Sequence, residues 1–265
     1  MARPTRLLVL FVLCASFTAH AAPPDTLPEG GHGNVAVVMD GDSLRLEGMN
    51  TDVRLLGLQA PKLPKGRRNF KAWPEGEDAK HALESLVKGH AITLRLGTTP
   101  RDRNGRILAQ AVRDDGLWIQ QELVREGWAR VYTFADNRQF AHDLLAAEAE
   151  ARAAHRGLWA DALYAVRASE PAALAKDVGT FQIVEGKVKN AAKVKGRVYL
   201  NFGSDFREDF TASIAPDVLR LFTQAHIDPL SFQGKTIRVR GYVRTFNGPA
   251  MDITHPEEIE AVEAP

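Results

Sequence analysis

The stretch from Asp40 to Lys62, DGDSLRLEGMNTDVRLLGLQAPK, gathers residue types that handle phosphate. Asp40 and Asp42 form an Asp-Gly-Asp corner between two strand-like runs, 35–38 and 43–46, and a third run, 53–58, carries Arg54 near its start. Carboxylates and an arginine therefore meet at strand ends. Oxygen ligands suit a hard cation such as Ca²⁺, and a guanidinium fork suits phosphate oxygens, so the pattern predicts a cation and a phosphate held side by side. From 59 to 74 runs a polar loop with three prolines, the basic residues Lys62, Lys65, Arg67, Arg68 and Lys71, and no acidic residue. Phe70 and Trp73 interleave with these charges, which suits a sugar-phosphate backbone with exposed bases. A solvated basic loop pinned by its aromatics fits the same composition.

The elements that must position these residues follow from periodicity. A helical period over 75–87 places Ala79, Ala82, Leu83, Leu86 and Val87 on one side, with Glu75, Glu77 and Asp78 in the first turn and Gly89 as the stop. Runs 91–96 and 107–113 read as strands around a polar turn at 98–106. Helices are expected at 119–126 and 139–155, the second closed by Gly157-Leu158-Trp159, and Trp118, Trp128 and Trp159 are assigned to packing. The alanine-rich segment 161–176 reads as a helix continuation or a linker. Strands then follow at 182–189, 197–202 and 209–214, a helix at 217–225, and strands at 236–245 and 250–253. Five strands with a helix between the third and fourth is the order of an OB barrel. Alternation points Val188, Val198, Leu200, Phe202, Ile237, Val239 and Val243 inward. Lys187, Lys189, Arg197, Tyr199, Arg238, Arg240, Tyr242 and Arg244 then face outward, a basic face with two tyrosines, of which Arg238, Arg240 and Tyr242 are candidate nucleic-acid contacts.

The chain of 265 residues is 45% hydrophobic and 25% charged, which excludes disordered and fibrous classes and allows one or two cores. Arg3 and Arg6 precede an apolar run at 7–17 and the small-residue pattern Ala19-His20-Ala21, so residues 1–22 read as a cleaved secretory signal. The expected location is across the inner membrane, periplasmic or extracellular, with no membrane attachment after cleavage. The single cysteine, Cys14, lies inside that signal, which excludes disulfides, thiolate catalysis and cysteine-zinc sites in the mature chain. Removing Arg3 and Arg6 from the 34 basic residues leaves 32 against 33 acidic ones, a formal charge of −1, so any affinity for polyanions must come from local patches. The histidines have no ligand spacing, and there is neither a Gly-x-Ser-x-Gly elbow nor a P-loop. The sequence assigns no oligomeric state.

Seven short motifs occur in order: Asp40-Gly41-Asp42-Ser43, Val53-Arg54-Leu55-Leu56, Ala60-Pro61, Gly76-Glu77-Asp78-Ala79, Asp102-Arg103-Asn104-Gly105-Arg106, Leu123-Val124-Arg125-Glu126-Gly127 and Gly157-Leu158-Trp159. Together they resemble the staphylococcal nuclease family over about 34–159. The resemblance implies an α+β, mainly β architecture: an OB barrel with packed helices, followed here by a second small OB-like five-stranded barrel. The expected division is signal 1–22, linker 23–33, nuclease-like domain 34–160, linker 161–178 and OB-like domain 179–262. The family hydrolyses phosphodiesters of DNA and RNA with Ca²⁺, two arginines and a glutamate. The resemblance makes Asp42 a Ca²⁺ ligand, Asp40 its supporting acid, and Arg54 and Arg106 the phosphate-binding arginines that stabilise transition-state charge. It also places the second metal aspartate on Gln59, the backbone-carbonyl ligand on Ala60 and the water-activating glutamate on Lys62. Gln59 brings no charge, which weakens a Ca²⁺ site. A protonated Lys62 has no lone pair to take a proton from water and suits a third phosphate contact. Two functions stay open: a Ca²⁺-dependent nuclease with an altered water-activation step, and a binding module for nucleic acid or another phosphate-rich polyanion that has lost hydrolysis.

Overall fold

A computed structural model describes residues 24–66 and 68–262. The expected signal at 1–22, with Cys14, and the candidate contact Arg67 lie outside the described residues.

The N-terminal half is built on short, half-buried strands whose apolar positions alternate. β1 (Glu29–Asp40) turns at Gly41 into β2 (Ser43–Leu46), and β3 (Val53–Leu55) follows, then β4 (Leu58–Gln59). Helix α1 (Gly76–Val87) comes next, then β5 (Ala91–Arg101), β6 (Ile107–Arg113), α2 (Ile119–Arg125), β7 (Arg130–Val131) and α3 (Ala141–Ala153). The barrel closes in the order β1-β2-β3-β6-β5, with β3 and β6 parallel and β4 paired to β7 beside it. Leu44, Val53, Leu55, Ile92 and Leu94 fill its interior, and Ala79, Leu83 and Val87 bring α1 against it. The corner at Gly41 lies under that helix, for a Cβ there would stand 2.7 Å from the Ala60 Cβ and 2.8 Å from the Ala79 Cβ. A side chain at this position would push the helix off the barrel rim.

The C-terminal half begins earlier than the alternation indicates. Residues 161–178, expected as a linker, contain β8 (Arg167–Ala168), which joins a sheet, and α4 (Pro171–Leu174), whose Leu174 is buried in the second core. The expected linker at 23–33 is likewise part of the fold from Glu29, where β1 pairs with β5. Next come β9 (Phe181–Lys187), β10 (Asn190–Val194), β11 (Arg197–Asn201), β12 (Thr211–Ile214), α5 (Leu219–Gln224), β13 (Thr236–Tyr242), β14 (Arg244–Thr245), β15 (Pro249–Ile253) and β16 (Ile259–Ala261). One sheet runs β10-β11-β12-β15-β14 and the other β16-β13-β9-β8. The parallel pair β12 and β15 repeats the parallel pair β3 and β6 of the N-terminal barrel, but in place of the expected second five-stranded barrel a five-stranded and a four-stranded sheet enclose one core. Every residue that alternation points inward, from Val188 to Val243, lies in this core.

Buried polar contacts join the two halves. Arg240 of β13, 1% exposed, donates to Glu148 of α3 at 2.7 and 3.3 Å and to the Val131 carbonyl at 3.0 Å, and it also contacts Glu260. Arg152 bridges Glu148 at 3.2 Å and Glu260 at 2.8 Å. Thr133 Oγ1 meets His255 Nε2 at 2.7 Å, and Arg138 pairs with Glu257 at 2.7 Å. Burial disfavours the Arg240 charge, yet Glu148 and Glu260 outweigh it and raise the guanidinium pKa above its ordinary value.

Candidate functional site

The Asp-Gly-Asp corner, the end of β3, the loop after β4 and the turn between β5 and β6 open on one cavity of about 590 Å³. Asp40, Arg54, Lys62, Lys65 and Arg106 line it, so five residues singled out by sequence converge. Arg101, Asp102, Arg103, Tyr132, Phe134, Asp136 and Asn137 also line it, with Thr99 and Leu108. Six cations and three carboxylates face this space, and Asp42 lies behind it, fully buried. The excess of positive charge in a recess is what concentrates a phosphate-rich polyanion.

Each side chain has a structural reason for its place. The β2–β3 register sets Ser43 opposite Arg54, which brings the guanidinium over the corner. Arg54 donates to the Asp42 carbonyl at 3.2 Å and the Leu58 carbonyl at 2.9 Å, and pairs with Asp42 Oδ2. The Ala60 N–H donates to Asp42 Oδ2 at 2.9 Å and the Ser43 hydroxyl to Oδ1 at 3.1 Å. Lys62 Nζ donates to Asp42 Oδ2 and stands 4.0 Å from Asp40 Oδ2, while Lys65 Nζ is 2.5 Å from Asp40 Oδ2. This last contact is an ion pair without hydrogen-bond geometry. Arg106 is held by Asp102, whose Oδ2 accepts from its Nε at 2.7 Å; the other carboxylate oxygen accepts backbone N–H groups of Asn104 and Arg106.

Charge states follow from this packing. Burial alone would raise the Asp42 carboxyl, but Arg54 and Lys62 together hold it well below the usual carboxylate range. Burial, reinforced by Arg54, brings the Lys62 ammonium down to about 8 against the opposing pull of Asp42 and Asp40. Burial also pushes Asp102 upward, and its hydrogen bonds with Arg106 outweigh this and lower it.

The donor set does not fit Ca²⁺. A carboxylate offers about four lone-pair sites, and Asp42 already faces four donors: Ser43, Ala60, Lys62 and Arg54. Gln59, expected as a ligand, is buried in β4 with its Oε1 unpartnered. That carbonyl oxygen is neutral, and Ca²⁺ asks for six to eight oxygens, several of them anionic. Glu75 and Glu77, the acids at the start of α1, do not line the cavity. A separate group, His90, Asp114 and Asp115, none of which lines the cavity, brings ligand atoms within 4.8 Å of one another.

The remaining predicted contacts disperse. Arg68 and Lys71 are exposed on the loop after β4. Arg240 is not a surface contact but the buried centre of the join between the two halves, and Arg238 is paired with Glu185 at 2.6 Å on β13. The outward face of β13 is where the other half packs, which alternation within one strand cannot reveal. Tyr242 is 47% exposed and packs edge-on with Tyr132 and Phe181 at 6.3 and 5.9 Å. Through Tyr132 it adjoins the cavity wall from the C-terminal side. Tyr132, Phe134, Asp136 and Asn137 escaped sequence reasoning; the DNRQ stretch after β7 carried the one signal, a turn rich in polar residues.

Comparison with known proteins converges on the same region. The family model described as staphylococcal nuclease homologue matches residues 52–161. A protein described as an uncharacterized endonuclease from Escherichia coli is 35% identical over 135 residues, covering 49% of this chain and 78% of that protein. Endonuclease YncB from Bacillus subtilis (strain 168) is 32% identical over 130 residues, covering 48% of this chain and 60% of that protein. Endonuclease YhcR from the same organism is 30% identical over 148 residues, 52% of this chain but 12% of its own length.

Proposed function

Since the chain belongs to the staphylococcal nuclease family, we propose that it captures nucleic acid by its phosphodiesters on Arg54, Arg106 and Lys62, with hydrolysis weak, altered or lost. The observation that carries this reading is Lys62. At the position where the resemblance places a water-activating glutamate stands an ammonium bonded to a buried carboxylate. It cannot accept a proton from water in that state, so the step that generates the nucleophile lacks its base. Phosphate capture is supported by the two guanidiniums, Arg54 and Arg106, that open on one cationic cavity, since guanidiniums suit charge-assisted bonds to phosphate oxygens. Tyr132 and Phe134 on the same wall suit stacking with an unpaired base, which favours single-stranded over duplex substrates.

The names of the endonuclease relatives support a second reading, an active phosphodiesterase that uses another base. Asp136, exposed on the cavity wall, is the carboxylate best placed for that role. The signal-like residues 1–22 support action outside the cytoplasm, in the periplasm or beyond; among the described residues no helix is long and apolar enough to cross a membrane.

Fluorescence anisotropy with a labelled single-stranded oligonucleotide tests the binding reading. Arg54→Ala and Arg106→Ala should each weaken binding about tenfold or more, the loss expected for a charge-assisted hydrogen bond of about 1.5–3 kcal/mol. Affinity should fall linearly with the logarithm of salt concentration, with a shallower slope in each variant. Unchanged affinity in both variants would place the ligand elsewhere.

A further inference from the structure

We propose that the Lys62 ammonium is the resident cation of this site, standing where the family's divalent metal would bind, so that the pocket takes a phosphodiester without any metal. The identity of the ligand rests on the reading above; the identity of the cation does not.

Asp42, fully buried, has both oxygens engaged, and Lys62 and Arg54 share its Oδ2. Asp40, also buried, has Lys65 at 2.5 Å and Lys62 at 4.0 Å. A divalent ion entering between these carboxylates would have to displace two ammoniums and then remain beside them and Arg54, in surroundings of low dielectric where like-charge repulsion is strong. Lys62 bonds Asp42 and stands 4.0 Å from Asp40 Oδ2, so one positive charge already lies beside both acids.

The backbone fixes that placement. Ala60 is tied to Asp42 through its N–H, and the Lys62 carbonyl accepts the Trp73 N–H at 2.9 Å. Leu63, the next residue, is buried against Gly76 at the start of α1, where a Cβ would stand 2.8 Å from its Cδ2. The segment that carries Lys62 is therefore pinned on both sides. Its side chain stays 22% exposed and lines the cavity, so the ammonium that neutralises Asp42 also faces the ligand. The chemistry that results is a phosphate held by two guanidiniums and an ammonium, with the buried aspartate as internal counter-ion.

The test uses the full mature chain. Titrating CaCl₂ into the protein in a calorimeter should give no saturable heat, and millimolar CaCl₂ should leave its melting temperature unshifted. Oligonucleotide affinity should be the same within about twofold in EDTA and in CaCl₂, because no metal ligand changes. Lys62→Gln should weaken oligonucleotide binding about tenfold, equally in both buffers, as the loss of one charge-assisted contact. The double variant Lys62→Glu, Gln59→Asp should gain a saturable calcium heat and a calcium-dependent rise in melting temperature. Saturable calcium binding by the unaltered chain, or oligonucleotide binding that EDTA abolishes and CaCl₂ restores, would overturn the resident cation. Failure to bind oligonucleotide in either buffer would overturn the phosphodiester ligand, while the calcium titration still judges the cation separately.

Discussion

Replacing Arg240 by methionine should loosen the join between the two halves and lower the stability of the whole chain. Arg240 is 1% exposed and its guanidinium contacts Glu148, Glu260 and the Val131 carbonyl. Removing one partner of a buried ion pair costs roughly 3–5 kcal/mol, because the other charge stays buried without compensation. Here Arg152 remains 3.2 Å from Glu148 and 2.8 Å from Glu260, and the Val131 N–H still donates to Glu148 at 2.7 Å. The loss should therefore fall at the low end, about 3 kcal/mol. For a chain of this size that corresponds to a fall of roughly 6–12 °C in melting temperature. Urea unfolding followed by circular dichroism reads both the midpoint and its slope. Arg240→Lys should recover only part of the loss, since an ammonium cannot serve the two carboxylates and the carbonyl with one planar fork. A loss below about 1 kcal/mol for Arg240→Met, the range of exposed ion pairs, would mean that the join does not depend on this buried charge.

The pH dependence of stability should reveal two opposed groups at the same join. Burial pushes the Glu258 carboxyl up to about 7, so its contribution is lost as pH rises toward that value, whereas burial brings His255 down to about 4, so its contribution is lost as pH falls toward that value. The two nearly cancel between about pH 5 and 6.5; Glu258→Gln should leave stability rising with pH there by about 2 kcal/mol, and His255→Gln should leave it falling by a similar amount, as urea midpoints at the two pH values would show. Gly41→Ala should cost about 1–3 kcal/mol by forcing the Asp-Gly-Asp corner away from Ala60 and Ala79, and thermal melts would detect it. Tyr242→Ala should weaken single-stranded oligonucleotide binding by about 1–3 kcal/mol if bases stack on the aromatic group it forms with Tyr132; anisotropy with the labelled oligonucleotide would measure this.

Much of the fold was legible because its causes are local. Alternation in short strands and a helical period with an acidic first turn located most elements to within a few residues, and the motif order singled out Arg54 and Arg106, which the fold brings to one cavity. Two kinds of information were not local. Whether an outward strand position meets solvent or a second domain depends on docking, which is why Arg240 read as a surface cation and is buried. Which partner a lysine takes depends on the fold around it, and no spacing rule ties Lys62 to Asp42 across 20 residues. Tyr132 belongs to the same class, since one aromatic after a two-residue strand carries no periodic signal. Residues 161–178 misread for a different reason: alanine-rich composition is shared by linkers and short helical turns, and only the pairing of β8 with β9 decides between them.

In the proposed function Arg54 and Arg106 hold phosphate, while Lys62, where the family resemblance places a glutamate, leaves water without a base. The direct test incubates residues 23–265, in excess over a labelled single-stranded DNA and with CaCl₂ present, beside Arg54→Ala and the Lys62→Glu, Gln59→Asp variant. The unaltered chain should retain the DNA but cleave it no faster than Arg54→Ala, and the double variant should gain calcium-dependent cleavage. Cleavage by the unaltered chain that disappears in Arg54→Ala would contradict the proposed function.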